Sequence, residues 1–382
     1  MADAIRAGSR PRVLHVYKDY YPPVLGGVET TIRLMALGTK SHFDVSVLVN
    51  SGGRTSFSET IEGVPVTRVG EFGRFASAPI SPQFMFALRR ASANADLLHM
   101  HHPNPTGDAA LLLSGFRGPV VMTYHSDVVR QKNMMRLYGP LQERTMRRCA
   151  LIMPTSPNYV ESSEWLQRHR SKCVVLPLGI DLNRFGVTPE VSTAAEAIRA
   201  RYPGPIVLFV GRLRYYKGLH FLVEAMRSVN ATLLLGGTGP EQERLAAQVR
   251  DANLDGRVHL LGDLSEEQLV SYLRAADVFC MPSHLRSEAF GLSQIEAMAC
   301  GLPVVSTDLP TGVPYINRHG ETGLIVPPAD PARLALAINE LLQNGELRRT
   351  LGQQAKVRAT TEFGAQRMCE QLMGVYNQVL AR

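Results

Sequence analysis

Short, nearly all-apolar segments alternate along the chain with stretches whose apolar positions recur at helical spacing. In the first half, the apolar segments are Val13–Tyr17, Val45–Val49, Leu97–Met100, Val120–Tyr124, Ile152–Pro154 and Cys173–Leu176. Helical patterns such as Val28–Leu37 and Met85–Ala93 lie between several of them. Strands that are apolar on both faces and separated by helices are typical of a parallel sheet covered by helices on either side. The pattern therefore predicts an α/β fold.

A second series of the same kind occupies the second half of the chain. Its apolar segments are Pro205–Val210, Thr232–Gly236, Val258–Leu261, Val278–Met281, Val304–Ser306 and Gly323–Val326. The helical patterns between or after them are Leu219–Val229, Glu241–Ala252, Glu266–Ala275 and Ala332–Gln343. The repetition predicts a second parallel sheet with its own helices.

The two series are separated by residues 186–202, which have no strand pattern and indicate a linker and a helix. We therefore predict two doubly wound, Rossmann-like domains, over residues 1–180 and 200–362. A C-terminal helix within residues 363–382 could pack on either domain. Ligands of such sheets bind beyond the carboxyl ends of the strands, so we expect the two domains to face a central cleft.

Length and composition agree with two domains and indicate the cellular compartment. The chain has 382 residues, of which 45% are hydrophobic, enough for more than one core. No run of about 18 apolar residues occurs, and the N-terminus lacks the apolar centre of a signal peptide. Five cysteines are scattered without CxxC spacing, which favours reduced thiols, a cytoplasmic protein and no structural zinc site.

The net charge of +7 is unevenly distributed. Residues 1–185 hold 22 Lys or Arg against 14 Asp or Glu. The densest basic segment has one glutamate among Arg130, Lys132, Arg136, Arg144, Arg147 and Arg148. A basic amphipathic helix can lie on the anionic inner face of a membrane, but a solvated helix with one packed face explains the pattern equally well. Nucleic-acid binding is not expected, because the segment holds one aromatic residue and no recognisable motif.

One segment carries more chemistry than any other, and it reads SEAFGLSQIEAMACGLPVV. Glu288 falls in a loop, Gly291 follows, and Glu296 falls within a predicted helix over Ser293–Ala299. Free amides at a helix start bind anions, whereas carboxylates accept hydrogen bonds from hydroxyl groups. An anion flanked by hydroxyls describes a sugar nucleotide. In a simpler interpretation, one glutamate is solvated and the other caps the helix.

Two other loops follow strands and precede helices. In FVGRLRYYKGL, Arg212 and Lys217 could neutralise a diphosphate without a metal ion, or could be surface charges. In YYPPVLGGVETT, Gly26 and Gly27 could let a helix start approach a phosphate closely, or could serve loop geometry alone. A fourth loop, GGTGPEQERL, holds Gly237-x-Gly239 but lacks the third glycine of a dinucleotide fingerprint. This absence and the duplicated domain plan disfavour an NAD-dependent dehydrogenase.

Taken together, these loops resemble the retaining glycosyltransferases of family four, which have the GT-B fold, over nearly the whole chain. The marks are Gly26-Gly27 with Glu29, Gly211-Arg212 with Lys217-Gly218, and the segment from Glu288 to Glu296 followed by CGLPVVSTD. The sites that the resemblance implies are Glu296 for the nucleotide ribose, Glu288 for sugar hydroxyls beside the amides of Phe290, Gly291 and Leu292, Arg212 and Lys217 for the diphosphate, and Gly27 for the distal phosphate.

The family also places a histidine after the fourth main strand of its first domain, and VVMTYHSD puts His125 there. The resemblance implies that His125 lies near the transferred sugar. His99, His101 and His102 stand together in LLHMHHPNP. His99 and His101 share one strand face, as zinc ligands would, but no fourth ligand is evident and we expect them to line the cleft near the acceptor.

The reaction implied by the resemblance moves a hexose from a nucleoside diphosphate to a hydroxyl of a glycan or polyprenyl-linked acceptor with retained configuration. A double displacement needs a carboxylate nucleophile. None is obvious, although Asp127 lies two residues from His125. Same-face attack, with Arg212 and Lys217 stabilising the departing phosphate, fits better. No Asp-x-Asp metal signature occurs, so neither a metal ion nor another cofactor is expected.

The donor is less narrowly defined. The segments LRYYKGLHFLVEAM and STDLPTGVPYINRHGETGLIVPP look like those of bacterial mannosyl- and rhamnosyltransferases of polysaccharide biosynthesis, which favours GDP-mannose. The alternatives are a transferase that uses a UDP-sugar, a nucleotide-sugar epimerase of the same fold and an inactive sugar-nucleotide-binding protein. The glutamate pair disfavours the epimerase, and the complete set of matched positions disfavours the inactive protein. A lipid-linked acceptor would agree with the basic first half and with a peripheral site on the membrane.

Overall fold

The computed structural model describes residues 9–24, 26–75, 78–128 and 132–382, with the side chains of residues 132–135 and 137 left aside. The chain divides into two units. The first runs to Gly179 and takes in Ala365–Arg382, and the second is Ile180–Gly364. The second unit begins before the predicted start at residue 200, because the helix over Pro189–Arg201 packs within it.

The first unit is built on a seven-stranded sheet in the order β3-β4-β2-β1-β7-β8-β9. All neighbours are parallel except the β3–β4 pair. The strands are β1 (Arg12–Val16), β2 (Asp44–Asn50), β3 (Phe57–Ile61), β4 (Val64–Val69), β7 (Leu97–His102), β8 (Val120–Tyr124) and β9 (Leu151–Pro154), and β5 (Arg74–Phe75) and β6 (Ala78–Pro79) form a separate small hairpin. The helices are α1 (Gly27–Thr39), α2 (Gln83–Ser92), α3 (Pro105–Ser114), α4 (Lys132–Arg148), α5 (Pro157–Ser162) and α6 (Glu164–Arg168).

Two differences from the predicted strands occur in this unit. The β3–β4 hairpin was not predicted, because β3 is largely exposed and the buried Val64 and Val66 of β4 alternate with exposed residues, so neither strand shows a continuous apolar run. The prediction of a strand at Cys173–Leu176 is wrong. This segment makes one isolated bridge to Ile152 and one further backbone bond, so it runs beside β9 without becoming a regular strand.

The second unit has a six-stranded parallel sheet in the order β12-β11-β10-β13-β14-β15. Its strands are β10 (Ile206–Val210), β11 (Thr232–Gly236), β12 (Val258–Gly262), β13 (Val278–Met281), β14 (Val304–Thr307) and β15 (Gly323–Val326). Its helices are α7 (Pro189–Arg201), α8 (Leu219–Ala225), α9 (Gln242–Asp251), α10 (Glu266–Ala275), α11 (Leu292–Ala299), α12 (Val313–Ile316), α13 (Pro331–Gln343) and α14 (Gly345–Glu362).

The last helix, α15 (Ala365–Leu380), belongs to the first unit and packs against α1. One contact joins the Sγ of Cys369 to the carbonyl oxygen of Leu34 at 3.4 Å. The buried face of α15 consists of Met368, Cys369, Leu372, Val375, Tyr376 and Val379. Within the described residues, no helix combines the length and the apolar character needed to cross a membrane.

Candidate functional site

The predicted phosphate-binding loops of the second unit follow two strands, β10 and β13, that lie side by side in its sheet. The strand order reverses between them, since β11 and β12 lie on one side and β14 and β15 on the other. Ligands of doubly wound sheets bind at such a reversal, beyond the carboxyl ends of the strands. Arg212 and Lys217 follow β10, and Glu288 follows β13, so the fold gathers these side chains at the expected place.

Lys217 and Glu288 form a buried ion pair. The Lys217 Nζ lies 2.5 Å from the Glu288 Oε2, and both side chains are about one-tenth exposed. Burial lowers the pKa of Lys217, but the Glu288 carboxylate outweighs it and the pKa is raised. The Ser283 hydroxyl donates to the same Oε2 at 3.0 Å. The Oε1 of Glu288 has no hydrogen-bond partner among the described residues, and it remains able to accept a bond from a ligand.

Arg212 differs from Lys217 in being exposed. Its guanidinium makes no ion pair and no hydrogen bond within the part of the chain that the structure describes. The backbone of this loop is fixed by the next loop, because Leu213 donates to the Thr238 carbonyl at 2.9 Å. Gly239 packs directly on the Leu213 carbonyl, where a Cβ atom would collide with it. The Gly237-x-Gly239 motif therefore allows two loops to pack closely.

The start of α11 presents backbone amides between the two glutamates. Gly291 stands just before the helix with φ of 92°, a left-handed conformation that glycine favours. The N–H groups of Phe290, Gly291 and Leu292 donate to no other described residue. Since the helix dipole favours negative charge at this end, these amides can bind an anion. The Phe290 ring points away from solvent and is 4% exposed.

Glu296 is a half-buried carboxylate on α11, and no hydrogen bond or ion pair to its side chain exists among the described residues. Burial raises the pKa of Glu296 to about 7, although the charges of Arg184 and Lys217 lower it. A carboxylate in this setting gains free energy from a hydroxyl donor. The arrangement combines cations, free amides and an acceptor without a partner, which suits an anion that carries hydroxyl groups.

In the first unit, Gly26 and Gly27 stand where β1 leads into α1, and α1 begins at Gly27. The carboxylate of Glu29 lies against Gly26, where it would collide with a Cβ atom at that position. An acidic side chain therefore already lies near the amides of the first turn. A phosphate would have to share this helix start with Glu29 or displace it.

His125 follows β8 and is 5% exposed. Its Nε2 lies 3.1 Å from the Nδ1 of His101, and its backbone amide donates to the His102 carbonyl at 3.1 Å. The Nδ1 of His125 is buried and has no partner among the described residues. Burial lowers the pKa of His125 to about 3, so the ring is neutral at physiological pH. His125 is thus suited to hydrogen bonding and is a poor base.

The other histidines do not line a surface, contrary to our expectation from the sequence. His99, His101 and His102 are each no more than 1% exposed, because β7 is buried on both faces. Asp127, which the sequence left open as a nucleophile, accepts at its Oδ1 from the hydroxyls of Tyr124 at 2.6 Å and Ser163 at 2.8 Å. These bonds favour a role in fixing the loop after β8.

Some contributing residues were missed in the sequence. Ser283 carries no signal, since serine is common in loops. Arg184 lies in the segment taken as a linker, and only the fold brings its charge near Glu296. His15 had a signal, because a histidine inside the apolar strand β1 must find a polar partner.

Two family models cover most of the chain. Residues 25–184 match the one described as Glycosyltransferase Family 4, and residues 193–358 match Glycosyl transferases group 1. The chain is 36% identical over 355 residues to the D-rhamnosyltransferase WbpZ of Pseudomonas aeruginosa, covering 93% of this chain and 92% of that protein. It is 32% identical over 370 residues to the O-antigen chain mannosyltransferase C of Escherichia coli, covering 97% and 99%.

Solved structures share the fold. Sucrose-phosphate synthase from Thermosynechococcus elongatus superposes with a TM-score of 0.82 at 24% identity, covering 97% of this chain and all of the other. Anabaena Alr3699/HepE, solved in complex with UDP-glucose, gives 0.78 at 21% identity, covering 96% and 99%. The predicted fold class, GT-B with Rossmann-like α/β domains, is confirmed.

Proposed function

The chain belongs to the family 4 glycosyltransferases, and we propose that it transfers mannose from GDP-mannose, with retention, to a hydroxyl of a glycan or lipid-linked acceptor. The observation that carries the proposal is the grouping of Lys217, the amides at the start of α11 and the unpartnered Glu296 in one unit. The names of the two relatives favour the donor sugar, because rhamnose is the 6-deoxy form of mannose.

In this proposal, the diphosphate of the donor binds Arg212, Lys217 and the amides of Phe290, Gly291 and Leu292. Glu296 accepts hydrogen bonds from the ribose hydroxyls. Glu288 holds Lys217 with one oxygen and offers the other to a hydroxyl of the sugar. Gly26 and Gly27 approach the distal phosphate, and His125 contacts the transferred sugar. Charge-assisted bonds to phosphate are about twice as strong as neutral ones, so the cations carry much of the affinity.

The proposed reaction breaks the bond between the anomeric carbon and the phosphate oxygen, and forms a bond to the acceptor oxygen on the same face. The acceptor proton moves to the departing phosphate oxygen. Arg212, Lys217 and the helix amides stabilise the negative charge that develops there. This route needs no protein base, which agrees with the lowered pKa of His125, and no carboxylate nucleophile, which agrees with the hydroxyl bonds to Asp127.

Peripheral contact with anionic lipid is the second part of the proposal, and α4 would provide it. Arg136 and Arg144 are exposed on this helix, whereas Arg148 donates to the carbonyls of Phe116 and Gly118. Arg130 lies outside the described residues. Co-sedimentation with phosphatidylglycerol vesicles at low and high salt tests the contact, and binding that persists equally at high salt would contradict its electrostatic origin.

Calorimetry with GDP and UDP tests the nucleotide site. We expect tighter binding of GDP by the wild-type protein, and a loss of about 1–3 kcal/mol in Glu296→Ala because the ribose bonds are lost. Glu288→Ala should lower turnover more than affinity. Unchanged affinity in Glu296→Ala would remove the ribose assignment, and tighter binding of UDP would favour a UDP-sugar donor.

Transfer in the presence of EDTA tests the metal-free mechanism. We expect unchanged turnover with GDP-mannose, because Arg212, Lys217 and the amides supply the charge that a divalent ion would otherwise supply. A strict requirement for added Mg²⁺ or Mn²⁺ would contradict this mechanism without affecting the assignment of the donor.

A further inference from the structure

A continuous run of hydrogen-bonded side chains is buried in the first unit and ends at His125. We call it the histidine chain, and its members in order are Thr123, His99, Tyr376, His15, His101 and His125. The successive distances, from Thr123 to His125, are 2.7, 2.6, 3.3, 3.0 and 3.1 Å. Every member is at most 5% exposed. Five polar side chains thus connect His125 to the interior of the unit.

The sheet places most of these groups on one face. His15 pairs with His99 across β1 and β7, and His101 pairs with Thr123 across β7 and β8. Since side chains alternate along a strand, His99 and His101 point to the same side. Tyr376 comes from α15 and links His15 to His99 through its hydroxyl. Its ring also packs edge-on against Phe43, with centroids 5.2 Å apart.

When the Tyr376 hydroxyl donates one of its two bonds and accepts the other, so that its buried hydrogen is not left without a partner, the histidine chain has only two arrangements of protons. Burial lowers the pKa of all four histidines, to about 3 in His15 and His125, so each ring is neutral at physiological pH. A neutral imidazole donates from one nitrogen and accepts at the other. In these arrangements, fixing the donor and the acceptor of any one hydrogen bond in the histidine chain also fixes the tautomer of every ring. In one arrangement the Nδ1 of His125 carries a hydrogen, and in the other it accepts one.

A metal ion is the competing explanation. His15, His99 and His101 each offer a ring nitrogen, and these atoms all lie within 4.8 Å of one another. However, the ring nitrogens of all three residues already have hydrogen-bond partners of their own. Among the residues that the structure describes, no carboxylate joins the group to offset a dication in this buried place. Hydrogen bonds account for the cluster without an ion.

We propose that the histidine chain, through the hydroxyl of Tyr376, sets the tautomer and ring orientation of His125 and so decides whether its Nδ1 donates to or accepts from the bound sugar. The inference rests on the proposed function for the identity of that ligand. Tyr376, His15, His99 and His101 are positioning residues, because they act through His125. Both arrangements are neutral, so the histidine chain can fix either hydrogen-bonding role at the Nδ1 of His125 without creating a buried charge.

Tyr376→Phe tests the proposal, because it removes one hydroxyl and keeps the ring that packs on Phe43. The first readout is the ¹⁵N spectrum of the histidine rings in the full chain, with His125→Gln used to assign the signal. We expect the wild-type protein to show one neutral tautomer at His125, and Tyr376→Phe to show a mixture. The second readout is kinetic: turnover should fall about tenfold while the KM for the donor stays unchanged.

Tyr138→Phe is the matched control. It removes a buried phenol hydroxyl of the same unit that donates to Asp108 and is not part of the histidine chain. We expect the His125 ring signals of this variant to match those of the wild-type protein. If Tyr376→Phe fails to fold, Thr123→Val breaks the far end of the chain instead and should also yield mixed tautomers at His125.

Three results would overturn the proposal. The first is an unchanged His125 spectrum in Tyr376→Phe, or in Thr123→Val where that variant takes its place. The second is an equal change in Tyr138→Phe. The third is a stoichiometric metal ion in the purified protein, with ring nitrogens of His15, His99 and His101 bound to it. The ring spectra need no substrate, so a failure to transfer any sugar would count against the proposed function and leave the tautomer result standing.

Discussion

At the scale of single residues, the second unit contains a half-buried carboxylate, Glu296, that has no partner among the described residues, and a second carboxylate, Glu288, that is paired through one oxygen only. Glu288 binds both Lys217 and Ser283 through one oxygen. Glu296 has no such bond among the described residues, and its raised pKa records the cost of its burial. A protein that binds hydroxyl-rich anions gains from this arrangement, because the ligand supplies the missing donors. The stability of the free protein should therefore depend on the charge of Glu296.

Glu296→Gln should stabilise the free protein at neutral and alkaline pH. The pKa of Glu296 is raised from 4.5 to about 7 on folding. Below pH 4.5 the carboxyl group is protonated in both states, and stability is then lost as the pH rises toward 7. At about pH 8 the variant should be more stable by roughly 1–3 kcal/mol, and near pH 4.5 the difference should disappear.

Urea unfolding at the two pH values measures this effect. Glu196→Gln, at an exposed position on α7, is the control and should show no comparable pH dependence. A constant difference between Glu296→Gln and the wild-type protein at both pH values would contradict the assigned pKa.

At the scale of elements, the start of α11 depends on one backbone conformation. Gly291 has φ of 92°, and a Cβ atom there would lie 2.8 Å from both the Gln294 Nε2 and the Met281 Cε. The same turn orients the three amides that we assign to the diphosphate. A substitution that disturbs the backbone conformation of Gly291 should therefore also weaken nucleotide binding.

Gly291→Ala should lower the free energy of unfolding by about 1–3 kcal/mol and weaken nucleotide binding, because the turn must relax away from the left-handed region. Gly345→Ala is the matched control at the start of α14, where no atom lies within 4 Å of the added methyl group. That variant should be neutral or stabilising by up to about 1 kcal/mol. Thermal melting measures the change in stability, and calorimetry with GDP measures the change in binding. Equal effects of the two substitutions would refute the argument.

At the scale of the whole molecule, the last helix belongs to the first unit, although the second unit directly precedes it in the sequence. The second unit closes at Gly364, and α15 then packs on α1 of the first unit. Six buried side chains on α15 contribute to that core. Burying one such apolar side chain stabilises a protein by about 1.5–3 kcal/mol. The first unit therefore depends on the last residues of the sequence.

Truncation after Gly364 should unfold the first unit and spare the second. The lost burial exceeds about 5 kcal/mol, which is comparable to the stability of a whole domain. Hydrogen exchange should show lost protection in β1 and β7 and retained protection in β10 and β13. Removing only Ala381 and Arg382, which are both exposed, serves as the control. Equal loss of protection in both units would contradict the division.

The sequence by itself determined the alternation of strands and helices and the positions of the loops that we propose bind the donor. Strands buried on both faces must be continuously apolar, so they were visible as short apolar runs. The strands β3 and β4 were not visible, because β3 is largely exposed at the sheet edge and β4 alternates buried and exposed positions along most of its length. Arg212, Lys217 and Glu288 could be proposed as site residues because each lies in a loop between a recognisable strand and a recognisable helix.

Only the tertiary structure decided which side chains meet. Three features depend on distances that no sequence spacing encodes. They are the pairing of Lys217 with Glu288, the lack of a partner for Glu296 among the described residues, and the contact of Glu29 with Gly26. The histidine chain is the clearest case, because Tyr376 and His15 lie 361 positions apart and are joined by one hydroxyl. Local periodicity reports which residues are buried, whereas the partners of buried polar groups are set by how distant elements pack.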